Sequence, residues 1–194
     1  SSFQFYYYQM KLIYGDIKPI SGLHIAGICS VYVAPREWLA ADPLADFDSG
    51  RILSSVQLKD NKFWIKIDLL QPTYDFEETP KTSKSGDYTD TMLTGTLNYY
   101  NYELRQILET LRRHDLVTMI QDQNKRRRFI GDTSIGMILS YSYKLKNGKD
   151  REESIQINLN AQTEDPAPFY NPDNETEFNY NLLQDIDGNF LLVE

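Results

Sequence analysis

The chain has 194 residues, a formal net charge of −8, 14 tyrosines and one cysteine, Cys29. Its length suits one domain with a full core, or a domain with extended arms. The acidic balance excludes a general nucleic-acid grip, the lone cysteine excludes an intrachain disulfide framework, and no apolar run approaches the roughly 20 residues of a transmembrane helix.

Residues 1–9 lack the basic start and apolar stretch of a signal peptide. Met10, followed by Lys-Leu-Ile-Tyr, reads as a more natural start, so residues 1–9 are set apart as an N-terminal extension outside the fold. Residues 23–33 alternate around small residues and predict a strand closed by Ala34-Pro35, with Cys29 a small core residue inside it. Residues 36–41 predict a short helical turn, residues 42–50 a loop rich in Asp, Pro and Gly, and residues 52–58 a strand with Ile52, Val56 and Leu58 on one side. After a turn at Asp60-Asn61, Phe63, Ile65, Ile67 and Leu69 face one way while Trp64, Lys66 and Asp68 face the other. That alternation predicts a half-buried strand.

Between residues 71 and 90 the pattern fails. The stretch is polar, carries Pro72, Pro80 and Gly86, and has Phe76 as an isolated apolar residue. A connection of this length is expected to be a protruding loop or hairpin that contacts a partner; the alternative is a surface loop with no role. Residues 92–97 return to strand. Leu104, Ile107, Leu108 and Leu111 then mark one apolar stripe of a helix over residues 101–114. Asn101 is its N-cap, Glu103 lies in its first turn, and Arg112, Arg113 and His114 crowd its last. Residues 116–120 follow as a buried strand, ended by the polar run 121–125.

Lys125-Arg126-Arg127-Arg128 lies beside a turn in an acidic chain and reads as a solvated hairpin edge. Ion pairing of these arginines to a neighbouring subunit is the functional alternative, ahead of phosphate contact. Leu139, Tyr141, Tyr143 and Leu145 alternate with Ser140, Ser142, Lys144 and Lys146. Asn147-Gly148 supplies the turn, and Ile155, Ile157 and Leu159 alternate with Gln156, Asn158 and Asn160, which predicts a hairpin with one dry and one wet face. Residues 164–174, with Pro166, Pro168 and Pro172, are extended, and residues 182–193 are apolar around Asp187-Gly188. Together, residues 164–194 form an arm that docks on this subunit or the next. The fold class expected is mainly β (α+β): an antiparallel β-sandwich or open barrel over residues 10–163, with one flanking helix, a long loop and the C-terminal arm.

Chemistry-bearing motifs are sparse. His24 and His114 have no second ligand at metal spacing, and Asp185-Ile186-Asp187-Gly188-Asn189 lacks the spacing of a calcium loop and reads as a turn. Cys29 has no basic neighbour, and no Gly-x-Ser-x-Gly elbow, phosphate loop or dinucleotide fingerprint occurs. Glu77-Glu78 and Glu152-Glu153 lie in polar segments where solvation is the default. The expectation is a non-enzymatic protein without catalytic, metal or cofactor residues.

The order of parts carries a resemblance. A strand near residues 63–69, the polar stretch 71–90, strand 92–97, helix 101–114, strand 116–121 and hairpin 137–159 together are similar to the tail-tube family of long-tailed bacteriophages. They also resemble virion proteins of Bacteroidetes phages and prophages. That resemblance implies a β-sandwich or open barrel whose protomers form hexameric rings that stack into a tube, with a long loop reaching the adjacent ring. Phe76, Glu77, Glu78, Lys81 and Lys84 would then lie at the ring junction. Arg126, Arg127 and Arg128 would pair with a neighbour, and the arm, with Phe169 and Tyr170, would cover an adjacent subunit. Ser140, Ser142, Gln156 and Asn158 would line the lumen, with DNA as passing cargo only. Other virion tail proteins would be the partners, no membrane would be involved, and assembly would take place in the bacterial host cytoplasm. The proline-rich linker after Asn160 and the aromatic start depart from a simple tube protein. They leave room for a terminator, a distal-tail ring or a head–tail connector, and a ligand-binding β-barrel module outside phages is the other class of reading.

Overall fold

The structure is a computed structural model that describes residues 27–45, 47–48, 50–52, 55–67, 73–97, 101–146, 152–170 and 180–182. Its strands are β1 (Ile28–Pro35), β2 (Phe47–Asp48), β3 (Arg51–Ile52), β4 (Trp64–Ile67), β5 (Asp75–Ser83), β6 (Gly86–Leu97), β7 (Asp115–Asp122), β8 (Arg127–Ile130), β9 (Met137–Lys146), β10 (Glu152–Thr163), β11 (Phe169–Tyr170) and β12 (Tyr180–Leu182). One α-helix, α1 (Tyr102–Leu111), and one 3₁₀ turn (Arg36–Trp38) complete it. The described residues are therefore mainly β with a single α-helix, and their sheet stays open. Among the described residues, no helix is long and apolar enough to cross a membrane.

Four long strands, ordered β9-β10-β6-β5, form one antiparallel sheet. A second group gathers on β7, which pairs with β1 along one edge and with β8 along the other. β4 extends this group beyond β1, and β12 lies parallel beyond β4. The two groups meet where Asp115 and Leu116 of β7 pair with Ile138 and Met137 of β9. Gly136 makes that corner possible: a Cβ there would sit 2.8 Å from the Cβ of Asp115 and 2.9 Å from the backbone nitrogen of Leu116. Only a residue without a side chain lets the two backbones approach so closely.

The main core lies between the two groups. Val33, Ile65 and Leu116 come from one side and Leu93, Ile157 and Leu159 from the other. Helix α1 adds the predicted stripe, with Leu104, Ile107, Leu108 and Leu111 all buried. Its start is as the sequence requires, because the Asn101 side chain accepts a hydrogen bond from the Leu104 N–H at 2.8 Å. A second core lies on the opposite face of β1, β4 and β7, where Tyr32, Ile52, Trp64, Met119, Phe129 and Tyr170 pack together.

Three stretches differ from the expectation or resolve its alternatives. The strand read as half-buried is dry on both faces, since Trp64 fills the second core beside Phe129 while Phe63 is 42% exposed. A wet face was inferred because the two-residue alternation reports only one core, and this strand separates two. The stretch 71–90, expected as a protruding loop or hairpin, is a hairpin: it holds β5 and the first rungs of β6, joined by a two-residue turn at Lys84-Ser85. Its composition concealed a strand because its backbone bonds go to β6 and much of its side-chain surface is wet. Pro80 is tolerated because β5 is the outermost strand of its sheet, so one of its edges needs no donor. The expected strand over residues 52–58 shrinks to Arg51–Ile52, with a single bridge from Leu58 to Leu39. The turn at Asn147-Gly148, Leu69, and most of residues 1–26 and 171–194 lie outside the described residues.

Replacing Gly136 by Ala should cost roughly 1–3 kcal/mol of unfolding free energy by chemical denaturation, because the rigid corner cannot give way. Leu108→Asp should abolish cooperative unfolding altogether, because it buries an unpaired charge in the main core.

Candidate assembly site

Strand alternation gives the four-stranded sheet two unlike faces. Leu139, Ile155, Ile157 and Leu159 point into the core, and the opposite face is wet. There the register aligns Ser142 with Gln156 and Thr96, and Ser140 with Asn158 and Thr94. Ser140, Ser142 and Gln156 are exposed and Asn158 is half-buried, so the four residues expected on one wet face do share it. Lower on the same face, Ile138, Asn160, Met92 and Glu77 form one row, in which Ile138 is 60% exposed and Met92 39%. Around this row a concavity of about 690 Å³ runs from Lys81 and Asp90 to Gly136.

The charge on this face is largely internal. Lys81 forms an ion pair with Asp90, whose other oxygen accepts from the Gln162 amide at 2.9 Å. These hydrogen bonds hold the Asp90 carboxyl below its ordinary value and raise the Lys81 ammonium. Glu77 is exposed and accepts from the Thr79 hydroxyl at 3.1 Å. Lys84 is exposed at the turn between β5 and β6.

Among the described residues, both edges of the four-stranded sheet are open. β5 pairs only with β6, and β9 beyond Ile138 pairs only with β10. These edges present backbone donors and acceptors that a further strand can satisfy.

Several residues expected at a subunit boundary meet inside one protomer instead. Glu78 on β5 forms an ion pair with Arg128 on β8 and accepts from the Ala167 N–H at 2.5 Å. The Arg128 guanidinium also lies 4.9 Å from the centre of the Phe169 ring and 5.9 Å from that of Phe76. Phe76, Glu78, Arg128 and Phe169 thus form one internal clasp between the two strand groups. Tyr170 is 5% exposed, and its hydroxyl accepts from the Val56 N–H at 3.2 Å, so its side chain belongs to the second core. Arg126 pairs with Asp122 of its own hairpin at 2.7 Å, and Arg127 is half-buried on β8. Glu78, Arg126, Arg128 and Tyr170 thus make these contacts within one chain. The described beginning of the arm docks in cis, through β11 on β3 and β8. Glu77, Lys81 and Lys84 remain on the outer surface.

Asp122 was not singled out from the sequence, and it organises the β7–β8 turn. Its carboxylate accepts from the backbone N–H groups of Asn124 and Arg126 and from the Arg126 guanidinium. Burial raises its pKa, but these donors together outweigh burial and hold it below the ordinary 3.8. The legible signal was an Asp two residues before an Asn at a strand end, a common turn device. His114 faces Glu37 at 3.1 Å, and no cluster of three metal-ligating side chains occurs among the described residues. His24 and residues 185–189 lie outside them. In comparisons with known proteins, no family model, no curated protein and no solved structure matches the chain.

Glu78→Gln should lower stability by roughly 1–3 kcal/mol, because a buried, charge-assisted acceptor is lost. A double-mutant cycle with Arg128→Gln should return a coupling of about 0.5–3 kcal/mol in chemical denaturation. Because the folded-state pKa of Asp122 is depressed, its stabilisation is present above the unfolded value and is lost as pH falls through the folded one. Thermal scans should therefore show stability falling below about pH 4, and Asp122→Asn should flatten that fall while lowering the plateau at neutral pH.

Proposed function

We propose that this protein is a non-enzymatic structural subunit of a bacteriophage virion, of the tail-tube type, whose copies join edge to edge into rings around a DNA channel. The observation that carries this reading is the four-stranded sheet, whose two outer edges carry no further strand among the described residues and whose outer face is mainly polar. Strand directions alternate across four strands, so β5 and β9 run antiparallel to each other. A second copy placed head to tail can set its β9 beside β5 and continue the antiparallel ladder. A heterologous contact of this kind generates a ring when its rotation closes. Pro80 withholds one donor from that ladder and leaves the remaining positions of β5 available.

The wet face then becomes the channel wall. Ser140, Ser142, Gln156, Asn158, Thr94 and Thr96 carry no charge, Lys81 is neutralised by Asp90, and the exposed Lys144 that continues the Ser140–Ser142 row is too sparse a positive charge to grip a phosphate backbone. Such a wall lets DNA slide. Hexameric closure, stacking through the β5–β6 turn at Lys84, other tail proteins as partners and assembly in the host cytoplasm follow the family resemblance. A terminator or connector would use the same edges and stop at one ring.

The test is the mass of the purified protein over a concentration series, with negative-stain imaging at the highest concentration. Rings or tubes are expected, and a monomer at every concentration would count against a self-assembling tube subunit. Replacing residues 82–87 by Asn-Gly keeps the Lys81–Tyr88 pair across a two-residue turn. This variant should keep the parent's unfolding cooperativity and form rings that do not stack. Unchanged tubes would remove the β5–β6 turn from the ring junction.

A further inference from the structure

A second site lies away from the four-stranded sheet, between the last turns of α1 and the segment that carries Trp38 and Lys62. It is a cavity of about 550 Å³, within the range of small-ligand sites. Pro35, Trp38, Ile107 and Leu111 give it apolar walls, and Lys62 and Arg113 stand on its rim. Lys62 Nζ lies 4.9 Å from the centre of the Trp38 ring. Lys62 has no carboxylate within ion-pair distance among the described residues, and Arg113 acts only through space on Glu109, a carboxylate that also lines the cavity.

The nearby carboxylates are already engaged. Glu109 accepts from the Tyr141 hydroxyl at 2.6 Å and from Arg112 at 2.8 Å. Glu37 faces His114. The helix end does not oppose an anion strongly, because the carbonyls of Leu108, Thr110 and Leu111 already accept backbone hydrogen bonds. In a chain of net charge −8, Lys62 and Arg113 set against the lining carboxylate of Glu109, which Tyr141 and Arg112 already engage, leave this tryptophan-walled cavity locally positive and half-dry.

We infer that this cavity binds a carboxylate carried on an apolar body, with Lys62 and Arg113 taking the carboxylate and Trp38 taking the body. A free aryl or acyl acid and an acidic side chain beside an aromatic one in a partner chain share this chemistry. The inference does not depend on the virion reading.

The test is titration of the full-length protein with 4-phenylbutanoate, its uncharged amide and a blocked Phe-Asp dipeptide, read by tryptophan fluorescence. Trp38 is half-buried at the site, whereas Trp64 is 3% exposed in the second core, so the change should come from Trp38. Saturable binding of the acid near about 1 mM is expected, with the amide weaker by roughly fivefold or more. Lys62→Gln and Arg113→Gln should each weaken the acid roughly fivefold, and Lys125→Gln should leave it unchanged. Tighter binding of the dipeptide than of the free acid would identify a partner chain as the source; the reverse would identify a free acid. Equal binding of acid and amide, indifference to both rim substitutions, or no saturation by about 10 mM for either carboxylate would overturn the site.

Discussion

The enclosure of β7 is the constraint on which the rest of the structure depends. Leu116 through Ile120 are all buried, and both edges of the strand carry partners. A strand in that position can expose neither its backbone nor either face, so it must read as a continuous apolar run. Leu116 and Ile120 face the main core and Val117 and Met119 the second one. Thr118 is the exception: it is fully buried, and its hydroxyl has no hydrogen-bond partner among the described residues. Each layer is positioned from this strand. β1 brings β4 and β12 on one edge, and β8 with β9 takes the other.

How much of this was legible follows from what each signal reports. Helix α1 was legible residue by residue, because an N-cap and an apolar stripe at i, i+3, i+4 and i+7 are local facts. The β9–β10 pair was legible for the same reason, since period-two alternation and a turn dipeptide need no knowledge of distant residues. β5 was not, because a polar edge strand takes its stability from the backbone of β6, and side-chain pattern is silent about that. The face of Trp64 was misassigned because nothing local distinguishes a tryptophan on a wet face from one covered by a second core. At the candidate site, the shared wet face was predictable from spacing, but the pairing of Glu78 with Arg128, fifty positions apart, was not.

Electrostatics refine the picture of an acidic chain. The basic run at residues 125–128 looked like a surface feature, yet Arg126 steadies its own turn and Arg128 ties two strand groups together. Arg36 behaves similarly, donating to the carbonyl of Thr133 and pairing with Asp115 near the sheet corner. Arginine suits these places because its planar fork satisfies several acceptors at once. These three arginines thereby serve internal order as well as adding to the surface charge.

The separation of the two faces of the four-stranded sheet bears on how such a protein can change over generations. Positions 140, 142, 156 and 158 alternate with Leu139, Ile155, Ile157 and Leu159, so each outward substitution leaves core volume untouched. The chemistry of the wet face can drift, or be selected, almost independently of the ability to fold. Interior residues have no such latitude, because each packs against elements distant in sequence. A lineage of related subunits would be expected to keep the buried alternation and the glycine at the corner while its outer face diverges, which would leave little sequence trace of common origin.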